Sequence, residues 1–162
     1  PKRFEKAMKD LTAGYLLSPS EVVGEGIFES EGSGLVSVNE IEFFSLCEHH
    51  VLPFWGHVSI AYLPKDKILG LSKLARISEV FSRRLQVQER LTKEIATAIY
   101  DLIQPTAVLV TCKAQHMCMM MRGVEKQHSY TITSSMNGVF RDNAATRAEL
   151  MHLLGGLGGQ RR

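Results

Sequence analysis

Apolar residues recur with two different periods along this chain, and the order in which those periods alternate constrains its fold more than any other feature. Phe4, Met8, Leu11 and Tyr15 fall at helical spacing between Arg3 and about Leu16, with Pro1 placed where a missing N–H costs little. The Gly-, Glu- and Ser-rich stretch from Gly24 to Gly34 predicts a loop or irregular hairpin. From Leu35 to Phe44, Val and Ile alternate with polar residues, the two-residue period of a strand. A second strand is expected from His57 to Leu63, after a turn around Pro53 and before Pro64-Lys65-Asp66-Lys67. Two helical stripes follow: Leu74, Ile77, Phe81 and Leu85, then Leu91, Ile95, Ile99 and Leu102. Pro105 stops the second. Ala107–Met119 and Ser129–Ser134 predict two more strands, Ala144–Leu154 a closing helix, and Gly155–Arg162 a frayed tail.

Helix, two strands, two helices, two strands, helix is an α+β order, with helices packed on one face of an antiparallel sheet. A chain of 162 residues suits one domain, placed at 1–154, with a core that needs no disulfide staples. Its three cysteines, an odd number, do not make a disulfide framework and fit a reducing compartment with thiolates free for metal. No apolar run approaches the roughly 20 residues of a membrane span, and no signal peptide is visible, so a cytoplasmic location is expected. A formal net charge of +2 gives no reason to expect nucleic acid as a partner. The chain opens at Pro1 without a methionine and reads as trimmed.

Ser45-Leu46-Cys47-Glu48-His49-His50 lies between two strands. Cys47 and His50 are three apart, so a tight turn lets both reach one ion. In Gln115-His116-Met117-Cys118-Met119, read as strand, His116 and Cys118 share a face about 7 Å apart. Cys112 shares that face but stands about 20 Å from Cys118 by the same rise, and reads as an inert buried thiol. The simplest ligand set is Cys47, His50 and Cys118, with His49 and His116 left nearby. Three protein ligands with a fourth position for water mark a catalytic rather than a structural zinc. Such water is acidified to a pKa of about 7, and the spare histidines would then serve as acid and base. The competing reading is a buried thiol among satisfied core histidines.

A basic group follows Gly70: Ser72, Lys73 and Arg76 on one helical turn, with Arg122 beyond the metal-binding strand. Free N–H groups at that helix start would welcome a phosphate, although a basic helical turn is often only a solvated face. In Gln86-Val87-Gln88-Glu89-Arg90, Glu89 either caps a helix or accepts paired hydrogen bonds from a guanine edge. Spacing does not choose between them.

These segments together resemble the GTP cyclohydrolase I family, from Pro1 to about Leu153. The likeness rests on the Cys47–His50 segment, Gly70-Leu71-Ser72-Lys73-Leu74-Ala75-Arg76, Arg84-Leu85-Gln86-Val87-Gln88-Glu89-Arg90-Leu91-Thr92, His116-Met117-Cys118-Met119 and Arg122-Gly123-Val124. It implies one zinc per subunit on Cys47, His50 and Cys118. It also implies conversion of GTP to formate and 7,8-dihydroneopterin triphosphate, the first step of pteridine (folate or tetrahydrobiopterin) biosynthesis, by zinc-activated water attacking carbon 8. His49 would protonate the neighbouring ring nitrogen, His116 would move protons during ring opening, and Ser72 and Gln88 join the catalytic set. Glu89 would read guanine, with Gln88 beside it. Lys73, Arg76 and Arg122 would hold the triphosphate, joined by Arg3 and Lys6 from a neighbouring subunit.

The fold implied is the tunnelling fold: a four-stranded antiparallel sheet backed by two antiparallel helices, with an N-terminal and a C-terminal helix. Two pentamers would stack into a homodecamer with active sites at subunit interfaces, and neither nucleic acid nor membrane is an expected partner. The family's usual N-terminal helices are missing from this sequence. A nitrile reductase of the same fold, which uses a nucleophilic cysteine and reduced nicotinamide, is the alternative enzyme. The His49-His50 pair and Cys118 speak against it, and Lys73, Arg76, Arg122 and Glu89 speak against a purely structural zinc module.

Overall fold

A computed structural model of the chain describes residues 1–32, 34–145 and 147–148. It opens with α1 (Lys2–Leu11), a 3-10 turn at Ala13–Leu16 and α2 (Pro19–Val23). The N-terminus of α2 is closed by a capping box, in which Ser18 accepts from the Glu21 N–H and the Glu21 carboxylate accepts from the Ser18 N–H. There follow β1 (Ile27–Glu29), β2 (Val36–Cys47), β3 (Pro53–Leu63), β4 (Lys67–Leu69), α3 (Leu71–Ser82) and β5 (Leu85–Gln86). The chain continues with α4 (Gln88–Ile103), β6 (Ala107–His116), α5 (Met117–Met120), β7 (Thr131–Gly138) and α6 (Val139–Asp142). Among the described residues no helix is long and apolar enough to cross a membrane.

The class is α+β, as expected, but the strand count differs. The main sheet has five strands in the order β5-β2-β3-β6-β7. Its long strands pair antiparallel, while β5 adds a parallel edge through Leu46↔Leu85 and Cys47↔Gln86. The predicted apolar stripe assigned Leu85 to a helix. Instead α3 ends at Ser82, and Leu85 is half-buried from the strand beside β2. The Gly-rich segment expected as a loop or irregular hairpin holds β1, which pairs with β4 in a separate two-stranded sheet. Helical backbone at 144–145 and 147–148 begins the expected closing helix. The rest of that helix and the 155–162 tail lie outside the described residues.

The strand period explains the core. Phe54, Val58, Ile60 and Tyr62 on β3, and Val108, Val110, Cys112 and Ala114 on β6, share one face and are buried. They pack against Leu74, Ile77, Val80 and Phe81 of α3 and Leu91, Ile95, Ile99 and Ile103 of α4. On the reverse face Ala61, Ala107, Leu109 and Phe140 form a smaller cluster. His116 has the parity of Ala114 and Cys112, so it emerges at the end of the helix-covered face.

At Gly56 the backbone of β6 lies close against β3. A β-carbon there would lie 1.9 Å from the Lys113 carbonyl oxygen and 2.7 Å from Ala114 Cα. Both obstacles are backbone, so neither can swing aside. Gly56→Ala should therefore destabilise the fold by about 1–3 kcal/mol, read as a lowered denaturation midpoint. A midpoint equal to that of the parent would contradict this packing.

Candidate active site

The turn after β2 is built to hold its side chains still. The Cys47 N–H donates to Leu52 O at 2.8 Å, and the Val51 N–H donates to Cys47 O at 2.8 Å. Val51 sits at φ 54°, a left-handed conformation that is costly for a β-branched residue, and these bonds hold it there. One result is that the Nδ1 atoms of both His49 and His50 lie 3.8 Å from Cys47 Sγ.

The other half of the site departs from expectation. β6 does not continue to Met119; it ends at His116, and Cys118 lies on the single turn of α5. Pairing with β3 runs out at Phe54↔His116, next to Pro53, where β3 begins and which has no N–H to extend a ladder. The shared strand face of His116 and Cys118 is therefore absent. Coiling at Met117 nonetheless brings Cys118 to the turn after β2. The ligand atoms of Cys47, His50 and Cys118 all lie within 4.8 Å of one another. Tetrahedral zinc with bonds of about 2.0–2.3 Å would set its ligand atoms roughly 3.5–4 Å apart, so a small contraction suits this set.

The donor chemistry fits as well. The Cys118 thiol is pushed up by burial first and then by Cys47, against a smaller downward pull from Arg122. Two adjacent thiols resist joint ionisation, and a cation between them removes that penalty. Arg122 reaches the same cluster, with Nη1 3.2 Å from His50 Nε2. Cys112 is different: it is fully buried and pushed up to about 12, mainly by desolvation. It is an unreactive thiol facing Thr92 and Thr133.

His116 lies flat against Phe54, ring centroids 4.6 Å apart and planes 1° apart. Its Nε2 is 2.7 Å from Oε1 of buried Gln88. Burial holds its pKa below the usual histidine value, while nearby Glu89 pulls it back up. Glu89 itself is exposed on the first turn of α4. Glu48 and Arg90, which carried no role in the sequence reading, form an ion pair at 2.5 Å that ties the Cys47 turn to α4. Phe54 also went unassigned, because its stacking depends on strand register and not on any local motif.

The basic residues are less gathered. Lys73 is half-buried, its stem against Gly26 and its amine 3.4 Å from Val22 O. Ser72 and Arg76 are exposed on α3, and Arg3 and Lys6 are exposed on α1. Among the described residues these four form no hydrogen bond or ion pair with Cys47, His50 or Cys118. Of the basic candidates, only Arg122 is brought to the metal cluster.

The family profile described as GTP cyclohydrolase I matches residues 1–155. The chain belongs to the GTP cyclohydrolase I family. It is 55% identical over 154 residues to GTP cyclohydrolase 1 of Drosophila melanogaster, covering 95% of this chain and 48% of that one. Against GTP cyclohydrolase 1 of Deinococcus radiodurans it is 52% identical over 156 residues, covering 96% and 72%. Against GTP cyclohydrolase 1 2 of Pseudomonas aeruginosa it is 54% identical over 154 residues, covering 95% and 85%. The chain thus spans about half of the first relative's length and most of the other two. Among solved structures, the archaeosine synthase QueF-Like in the apo form superposes with a TM-score of 0.53 at 17% identity, over 67% of this chain and 97% of that one. That likeness is one of fold.

For this member of the family, Cys118→Ala should abolish stoichiometric zinc, whereas Cys112→Ala should keep it, as measured by metal analysis of the purified proteins. With metal chelated, an alkylating reagent at pH 8 should modify Cys118 and leave Cys112 untouched until the chain is denatured. Labelling of Cys112 in the folded protein would contradict its assignment as a neutral buried thiol.

Proposed function

We propose that this chain is a zinc-dependent GTP cyclohydrolase that converts GTP and water into formate and 7,8-dihydroneopterin triphosphate, the opening step of pteridine biosynthesis. The observation that carries the reading is the convergence of Cys47, His50 and Cys118, with His49 Nδ1 3.8 Å from Cys47 Sγ, in a member of this family. Those three residues would hold the zinc, which when bound supplies a Lewis acid able to lower the pKa of water to about 7.

The chain's own groups do the rest. His49, on the rim of the cluster, donates a proton to the imidazole ring of the purine. His116, whose pKa burial holds below the usual histidine value, accepts and returns a proton as the ring opens. Glu89 has a free carboxylate to pair with the guanine edge. Arg122, Lys73 and Arg76 neutralise the triphosphate, and Ser72 stands by the sugar. Arg3 and Lys6 are exposed on α1, which suits a contribution to a neighbouring subunit's site.

We read residues 1–154 as one domain of the tunnelling fold, assembled into a decamer of two pentamers with sites at subunit interfaces. The free thiols Cys47, Cys112 and Cys118 suit a reducing cytoplasm.

Incubation with GTP and zinc should release formate and develop pterin absorbance. Absence of turnover with metal bound and the oligomer intact would refute the assignment. His116→Ala should retain zinc and lose turnover by roughly 10²–10⁴-fold, the usual range for a general acid–base group. Complete metal loss in that variant would instead place His116 among the ligands.

A further inference from the structure

Gln88 is fully buried at the start of α4, and its amide has no freedom. Its Nε2 donates to Cys112 O at 3.1 Å and Thr131 O at 3.1 Å, and lies 3.2 Å from Thr133 Oγ1. The Thr92 hydroxyl spends its one proton on Gln88 O at 2.8 Å. In the 2.6 Å contact between Thr92 and Thr133, Thr133 must therefore be the donor. Thr133 then has no proton to offer the Gln88 amide. A flipped amide would turn Oε1 toward two backbone carbonyls with no proton between them, leaving buried acceptors unsatisfied. Oε1 must face His116 instead, and a carbonyl oxygen can only accept.

We infer that Gln88 is a positioning residue that orients the His116 ring and locks it in the tautomer protonated at Nε2. The strands β6 and β7 supply the acceptors that orient the amide, and stacking on Phe54 fixes the ring plane, so the sheet itself dictates which ring nitrogen carries the proton. Gln88 is thereby spent on protein partners and does not read the substrate. Its adjacency to Glu89 reflects helix geometry, with one side chain buried under the sheet and the next exposed.

This inference rests on the reading of His116 as a proton carrier, and its test separates the two. Zinc-loaded enzyme carrying 15N-labelled histidine is examined by NMR, with His116→Asn used to assign the His116 ring signals. The parent should show His116 with a protonated Nε2 and a bare Nδ1. Gln88→Met, of similar size but with no hydrogen-bonding amide, should give mixed tautomers. Its kcat should fall by on the order of 10² or more, with KM for GTP and zinc content close to parental values. A parent spectrum with Nδ1 protonated and Nε2 bare overturns the inference, and needs no variant to fold. A Gln88→Met enzyme with raised KM and parental kcat also overturns it, because Gln88 would then be a substrate contact. The expected tautomer in a protein that does not turn over GTP supports the lock and refutes the proposed reaction alone.

Discussion

Phe54 of β3 faces Ser45 on one side and His116 on the other, and the candidate site depends on that double pairing. β3 is hydrogen-bonded to β2 and β6 at once, so its register sets where each of those strands ends. A slip of one residue on either side would send the facing side chains to the opposite face of the sheet. In the observed register, Cys47 and His116 leave the sheet at the same end, and the short turns that follow bring His50 and Cys118 into reach. Gly56, two residues further along, permits the close approach of β3 and β6 that keeps the pairing tight.

Around this end of the sheet, polar groups are matched with few spare partners. Gln86, also buried, donates to Phe81 O and Glu94 and accepts from the Val87 N–H, which fixes how the chain enters α4. Gln88 then spends its amide on the sheet and on His116. Glu48 and Arg90 add an ionic tie between the Cys47 turn and the same helix. Among the described residues no buried side-chain nitrogen or oxygen lacks a partner, so a misplaced group here would face an unmet desolvation cost. The proposed ligands and His116 are thus held by elements that share one core.

Much of this was legible in the amino-acid order. Leu74, Ile77 and Phe81 on α3, and Leu91, Ile95 and Ile99 on α4, are buried as their period requires. That Cys47, His50 and Cys118 come together as a group able to hold a metal ion was readable from chemistry and spacing. The route to Cys118 was not: an apolar run of methionines serves a strand or a helical turn equally, and only the end of β3 pairing at Pro53 decides. Two- and three-residue strands such as β5, β1 and β4 are too short to carry a period. Roles that depend on tertiary partners, such as the hold of Gln88 on His116 or the ion pair of Glu48 with Arg90, leave no local trace at all.

The central claim is that two thiolates and one imidazole, delivered from strands joined through β3, form a zinc site with an open position. X-ray absorption at the zinc edge on the purified protein tests it most directly. Two sulfur neighbours at about 2.3 Å with nitrogen and oxygen neighbours at about 2.0–2.1 Å are the predicted first coordination sphere. A third sulfur, which would require Cys112 to leave the core, or a sphere of nitrogen and oxygen alone, would contradict it.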